Sequence, residues 1–124
     1  MKQITIGGEV FNHPPLKNTW NLRQQALAKN ALGNNFNGNL MQSLIFGETT
    51  AELLGVVLWN KDEEKFNPKT YKDRVELIKD LNIEAKDEKV IEGIITDFWN
   101  TRGRSMMSAT RAYTAVANKG QKTT

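Results

Sequence analysis

The sequence contains no cysteine, so disulfides, thiolate chemistry and cysteine metal sites are excluded from the start. It has a single histidine, His13, beside Pro14 and Pro15, which lacks imidazole partners for a metal and a nearby nucleophile for base catalysis. A solvated loop residue is the expectation for it. Serines number three, Ser43, Ser105 and Ser108, and none sits in a G-x-S-x-G elbow. Walker loops, dinucleotide fingerprints, His-Glu-x-x-His and EF-hand loops are missing. No apolar run approaches the roughly 20 residues of a membrane span, and no signal-like segment opens the sequence. An intracellular, non-enzymatic protein without cofactor or metal is therefore expected, in no contact with a membrane.

At 124 residues the chain has the size of one domain, with 39% apolar and 25% charged residues. The net charge of +3 is unevenly placed. Residues 101–124 hold Arg102, Arg104, Arg111, Lys119 and Lys122 and no acid, which is +5 and leaves −2 for residues 1–100. The sequence thus divides into a mildly acidic body, 1–100, and a basic C-terminal segment, 101–124.

Ile4 and Ile6 alternate with Thr5 before Gly7–Gly8, and Val10 and Phe11 follow. A glycine pair supplies the positive φ angles of a two-residue turn, so a hairpin forms with Ile4 opposite Phe11. A lone hairpin is marginal in water and must pack its apolar face on other elements. Asn18 or Thr19 can cap a helix from Trp20 to Leu32, with Leu22, Ala26 and Leu27 inward and Gly33 as its stop. Leu40, Met41, Leu44 and Ile45 recur at helical spacing up to Gly47.

The most apolar passage is Leu53 to Trp59. Thr49 and Glu52 have capping-box spacing, so residues 50–60 read as a short helix enclosed by others. Gly55 within it marks the close approach of a neighbouring helix. Asn67–Pro68 carries both helix-start signals and opens a helix to about Leu81, with Tyr71, Val75 and Ile78 on one stripe. Its charged residues, Lys69, Lys72, Asp73, Glu76, Lys79 and Asp80, read as a solvated face. Asp87 and Glu88 suit the start of a last helix to about Asn100, with a wide apolar face from Val90 to Trp99. The expected fold is α+β and mainly α, an N-terminal β-hairpin packed on a bundle of four to five helices.

Phe98 and Trp99 either complete the core or lie partly exposed at the end of that helix as anchors for a partner. Met106, Ala109, Tyr113 and Val116 are spaced as one helical stripe. Residues 105–118 are expected to be weakly ordered alone and helical when that stripe docks on a partner or a second copy of the chain. Phe98, Trp99, Met106 and Tyr113 are the candidate partner-binding residues.

The opening Ile4-Thr5-Ile6-Gly7-Gly8-Glu9-Val10-Phe11 and the order of elements after it resemble phage tail assembly chaperones of Gram-positive bacteria. In that family a Gly-containing hairpin leads into a first helix, a loop, an apolar helix like Leu53 to Trp59, and a charged helix pair like 67–81 and 87–100. The resemblance spans about residues 3–100. It implies a non-catalytic chaperone made in the host cytoplasm, which binds the tape measure protein, keeps it soluble while the tail tube assembles, and is missing from the mature virion. The tail tube protein is a further candidate partner, and the 105–118 stripe adds a second copy of the chain. Two other readings stay open. One is a structural tail or head-tail protein retained in the virion. The other is a nucleic-acid binder acting through the basic C-terminus, for which Tyr113 alone in that segment could stack on a base.

Overall fold

The computed structural model describes residues 1–33 and 49–106. Strand β1 (Lys2–Ile6) turns through Gly7–Gly8 into β2 (Glu9–His13), helix α1 (Leu22–Gly33) follows, and α2 (Thr49–Val57) leads into a two-residue strand β3 (Trp59–Asn60). Helices α3 (Pro68–Asp80) and α4 (Ala85–Phe98) complete the body, and α4 runs on through a π-helical turn, Trp99–Gly103. This is a mainly α, α+β fold with an N-terminal hairpin. The expected short helix over residues 40–47 lies outside the described residues.

The hairpin forms in the register that the glycine pair dictates. Ile4 faces Phe11 and Ile6 faces Glu9 across the turn. Gly7 and Gly8 have φ of 57° and 85°, which a Cβ would strain. One face of the hairpin buries Ile6 and Phe11 against the helices, with Ile4 packed beside them.

Helix α2 is the centre of the core. Leu53, Leu54, Val56 and Val57 are all buried, and such side chains contribute about 1.5–3 kcal/mol each on leaving water. Helices α1 and α3 flank it. Gly55 marks the crossing with α3, where a Cβ would stand 2.6 Å from Val75 Cγ2 and 3.1 Å from the Tyr71 ring.

The apolar passage is not helical to its end. Leu58 still donates its N–H to Leu54 O, but Trp59 and Asn60 pair with Asn12 and Phe11 as an outer strand of the sheet. Asn12 fixes this junction, donating from Nδ2 to the carbonyls of Lys61 and Glu63 at 3.0 and 2.8 Å. The helix already includes Thr49, the residue expected to cap it.

Helix α1 starts later than Asn18 or Thr19 would place it. Asn21 Oδ1 accepts from Gln24 N at 2.8 Å, and Gln24 Oε1 accepts from Asn21 N at 3.0 Å, a reciprocal cap. Its inner side is Gln24, Ala28, Ala31 and Leu32; Leu22 and Ala26 are exposed and Leu27 is half-buried. His13 is also no loop residue. It closes β2, half-buried, and its Nδ1 donates to Val57 O at 3.2 Å, at the C-terminus of α2.

Candidate functional site

Helix α3 begins as its residues dictate, with Asn67 Oδ1 accepting from Lys69 N at 2.9 Å and proline at the first helical position. One turn further on lies a buried polar cluster. Arg74 is fully buried and donates to Gly55 O from Nε at 3.1 Å and from Nη2 at 2.6 Å. Its Nη1 reaches Glu63 Oε1 and Thr70 Oγ1, each at 3.2 Å. Glu63 in turn accepts from Asn60 N at 2.9 Å and from the Thr70 hydroxyl at 2.7 Å. Burial lowers the Arg74 pKa, and the Glu63 carboxylate opposes the shift. Tyr71 donates its hydroxyl to Glu52 O at 3.2 Å, and burial together with the Glu52 charge pushes its pKa up to about 12.

This cluster holds α2, the 60–65 loop and α3 together. A buried cation needs such a cage, since removing its acceptors would leave an uncompensated charge. Each polar atom of Arg74 and Glu63 described here has a structural partner, and Glu63 also lines an open depression with Gln3, Asn12 and Lys61. The sequence reading passed over both residues. Arg74 stands three residues after Tyr71 and four before Ile78, directly on the apolar stripe, and that spacing was the available signal.

The start of α4 is tied to the hairpin. Asp87, buried in the first turn, accepts from Glu84 N at 3.0 Å through Oδ2. The backbone N–H groups of Glu84 and Gly7, in that order, hold its carboxyl below the usual carboxylate range. The turn glycine and the helix start therefore share one carboxylate.

The four candidate partner-binding residues fare differently. Phe98 is a core residue with no exposed surface, stacked on Trp20 with ring centroids 6.0 Å apart, so it is no surface anchor. The wide apolar face of α4 is covered by Trp20 and the hairpin. Trp99 and Met106 are half-buried and pack against the core. Tyr113 lies outside the described residues.

Beyond Phe98 the helix widens into its π turn, in which Arg104 N donates to Trp99 O. A Cβ on Gly103 would stand 2.6 Å from the Trp99 ring, so glycine lets the indole lie over the turn. The same turn aims Arg102 at the 16–20 loop. Arg102 Nε donates to Leu16 O at 2.6 Å, Nη2 donates to Asn18 O, and the guanidinium lies over the Trp20 ring, 4.2 Å from its centroid. Residues 101–106 thus continue α4 against the body, and the boundary drawn at residue 100 falls inside a continuous helix.

Among the described residues, no three histidines, cysteines or acids gather as a metal site, and no helix is long and apolar enough to cross a membrane. Comparison with protein-family models, with curated proteins and with solved structures finds no match to this chain.

Proposed function

We propose that this protein is a non-catalytic assembly chaperone of a phage tail, which binds the tape measure protein in the host cytoplasm and is left out of the virion. The observation that carries this reading is the order of the elements. A Gly–Gly hairpin, a first helix, an enclosed apolar helix and a charged helix pair succeed one another as the resemblance implies. Support also comes from the interior, where the charged groups Arg74 and Asp87 are engaged in joining elements. Trp99 and Met106, at the far end of α4, and Tyr113 beyond it are the proposed contacts for the tape measure protein, with the tail tube protein and a second copy as further partners.

The nucleic-acid reading loses one of its five cations. Arg102 already serves two backbone carbonyls and an indole ring, and a phosphate would compete with them for the guanidinium.

Co-expression with the tape measure protein tests the proposal. A soluble complex that Trp99→Ala weakens at a temperature where the variant is still folded is the expected result. A tape measure protein that stays insoluble and uncaptured removes the reading. Finding this chain in purified particles instead would favour a structural tail component.

A further inference from the structure

A trough runs along the outside of α4. On one side stand Lys2, Ile4 and Thr5 of β1, and on the other Val90, Gly93 and Asp97. It continues past His13 to Pro15 and Lys17 in an adjoining depression that shares Lys2, His13 and Asp97. Helix α4 runs opposite to β1, because Asp87 at its start meets Gly7 after the strand while Asp97 near its end meets Lys2.

Three independent features of this trough converge. First, β1 is an edge of the sheet, whose order is β1-β2-β3. Ile6 and Glu9 close a two-residue turn and are a hydrogen-bonded pair, so Thr5 and Gln3 point their backbone groups away from β2. Among the described residues these groups have no other backbone partner. Second, Gly93 sits within α4, exposed, with nothing within 4 Å of where a Cβ would be. Glycine is a poor helix residue, and the fold has no use for it here, unlike Gly55 and Gly103. A backbone passing close over α4 would use it. Third, the charged lining is three lysines, Lys2, Lys17 and Lys89, against one carboxylate, Asp97.

We infer that the trough between β1 and α4 accepts an extended, acidic segment of a partner protein, which adds to the free edge of β1 and crosses α4 over Gly93. Main-chain bonds to Gln3 and Thr5 supply register, and the lysines select an acidic strand. The basic residues 107–124 and a second copy of the same lysine-lined trough are the wrong sign for it. The inference stands apart from the tape measure reading, since it fixes the chemistry of the bound segment and not the identity of its owner.

The test uses the full chain and two fluorescein-labelled eight-residue peptides, one alternating valine with glutamate and one alternating valine with lysine. Fluorescence polarisation should show the acidic peptide binding at least about tenfold tighter. Amide exchange at Gln3 and Thr5 should slow on binding. Gly93→Leu, which fills open space and so leaves the fold intact, should weaken binding by about tenfold or more, and Lys89→Glu should weaken it too. Equal binding of both peptides, no binding of the acidic one at about 1 mM, or indifference to Gly93→Leu would each overturn the proposal. So would slow exchange of Gln3 and Thr5 in the free protein, because another part of the chain or a second copy would then already cover the edge.

Discussion

Arg74 shows how much one side chain can organise in a chain of this size. Its fork reaches a helix carbonyl, a carboxylate and a hydroxyl on three segments, which a lysine could not do from one position. Arg74→Ala leaves Gly55 O without its side-chain donor, takes the paired cation from Glu63 and empties a buried site, so urea denaturation should show a loss of about 3–5 kcal/mol. Glu63→Gln keeps an acceptor there but removes the carboxylate paired with the buried guanidinium, and should cost about 1.5–3 kcal/mol. A loss under about 1 kcal/mol for Arg74→Ala would mean that the cluster is not needed for the fold. The glycines make a second comparison. At Gly55 an added methyl strikes Val75, whose branched side chain cannot swing away, and Gly55→Ala should destabilise by about 1–3 kcal/mol. At Gly93 the same methyl meets nothing, and Gly93→Ala should stabilise by about 0.5–1 kcal/mol. Opposite signs are expected from one chemical change, and equal signs would mean that the two sites have been misjudged.

The elements that were legible in the sequence are those whose signals are local. Gly7–Gly8 fixed the hairpin and its register, and Asn67–Pro68 fixed the start of α3. What the sequence concealed depends on distant partners. Trp59 and Asn60 leave the helical pattern because β2, some 48 residues earlier, offers them an edge, and no local window contains that fact. Phe98 is buried because Trp20 covers it, which the apolar face of α4 could not reveal by itself. In α1 the signal was present at Asn21 and Gln24, but Asn18 and Thr19 look equally like caps. The tie between hairpin and α4 brings a pH dependence. Asp87 has its pKa lowered in the folded protein, so its contribution is present above the unfolded value of about 3.9 and is lost as pH falls through the folded one. Asp87→Asn should therefore be less stable than the parent at neutral pH, and the gap should close as the pH is taken down through the acid range. A gap that stays constant with pH would mean that the carboxylate charge is irrelevant to the tie. For α2, Leu53→Ala and Val57→Ala should each lower stability by about 2–4 kcal/mol, and an unchanged melting temperature in both would remove the helix from the core.

On the scale of the whole molecule, the body is fastened where its two far ends in sequence meet. The hydrogen bond from Arg102 to Leu16 O spans 86 positions along the chain, and with the stacking on Trp20 it lays the π turn against the 16–20 loop. Trp20 in turn covers Phe98, so one guanidinium, one indole and one phenyl ring form a continuous stack between the loop and the core. Composition could not separate Arg102 from Arg104, two residues away with the same charge, because only the π turn decides which of them faces the loop. Arg104 is exposed, and Arg104→Ala should stay within about 0.5 kcal/mol of the parent. Arg102→Ala removes two charge-assisted bonds and a cation over a ring, and should cost about 1–3 kcal/mol. Amide exchange should then quicken at residues 15–20 and 99–106 while the hairpin and α2 keep their protection, since neither depends on that contact. If the two arginine variants behave alike, the basic end acts through its charge alone, and the fastening of residues 99–106 to the body lies in Trp99 and Met106 rather than in Arg102.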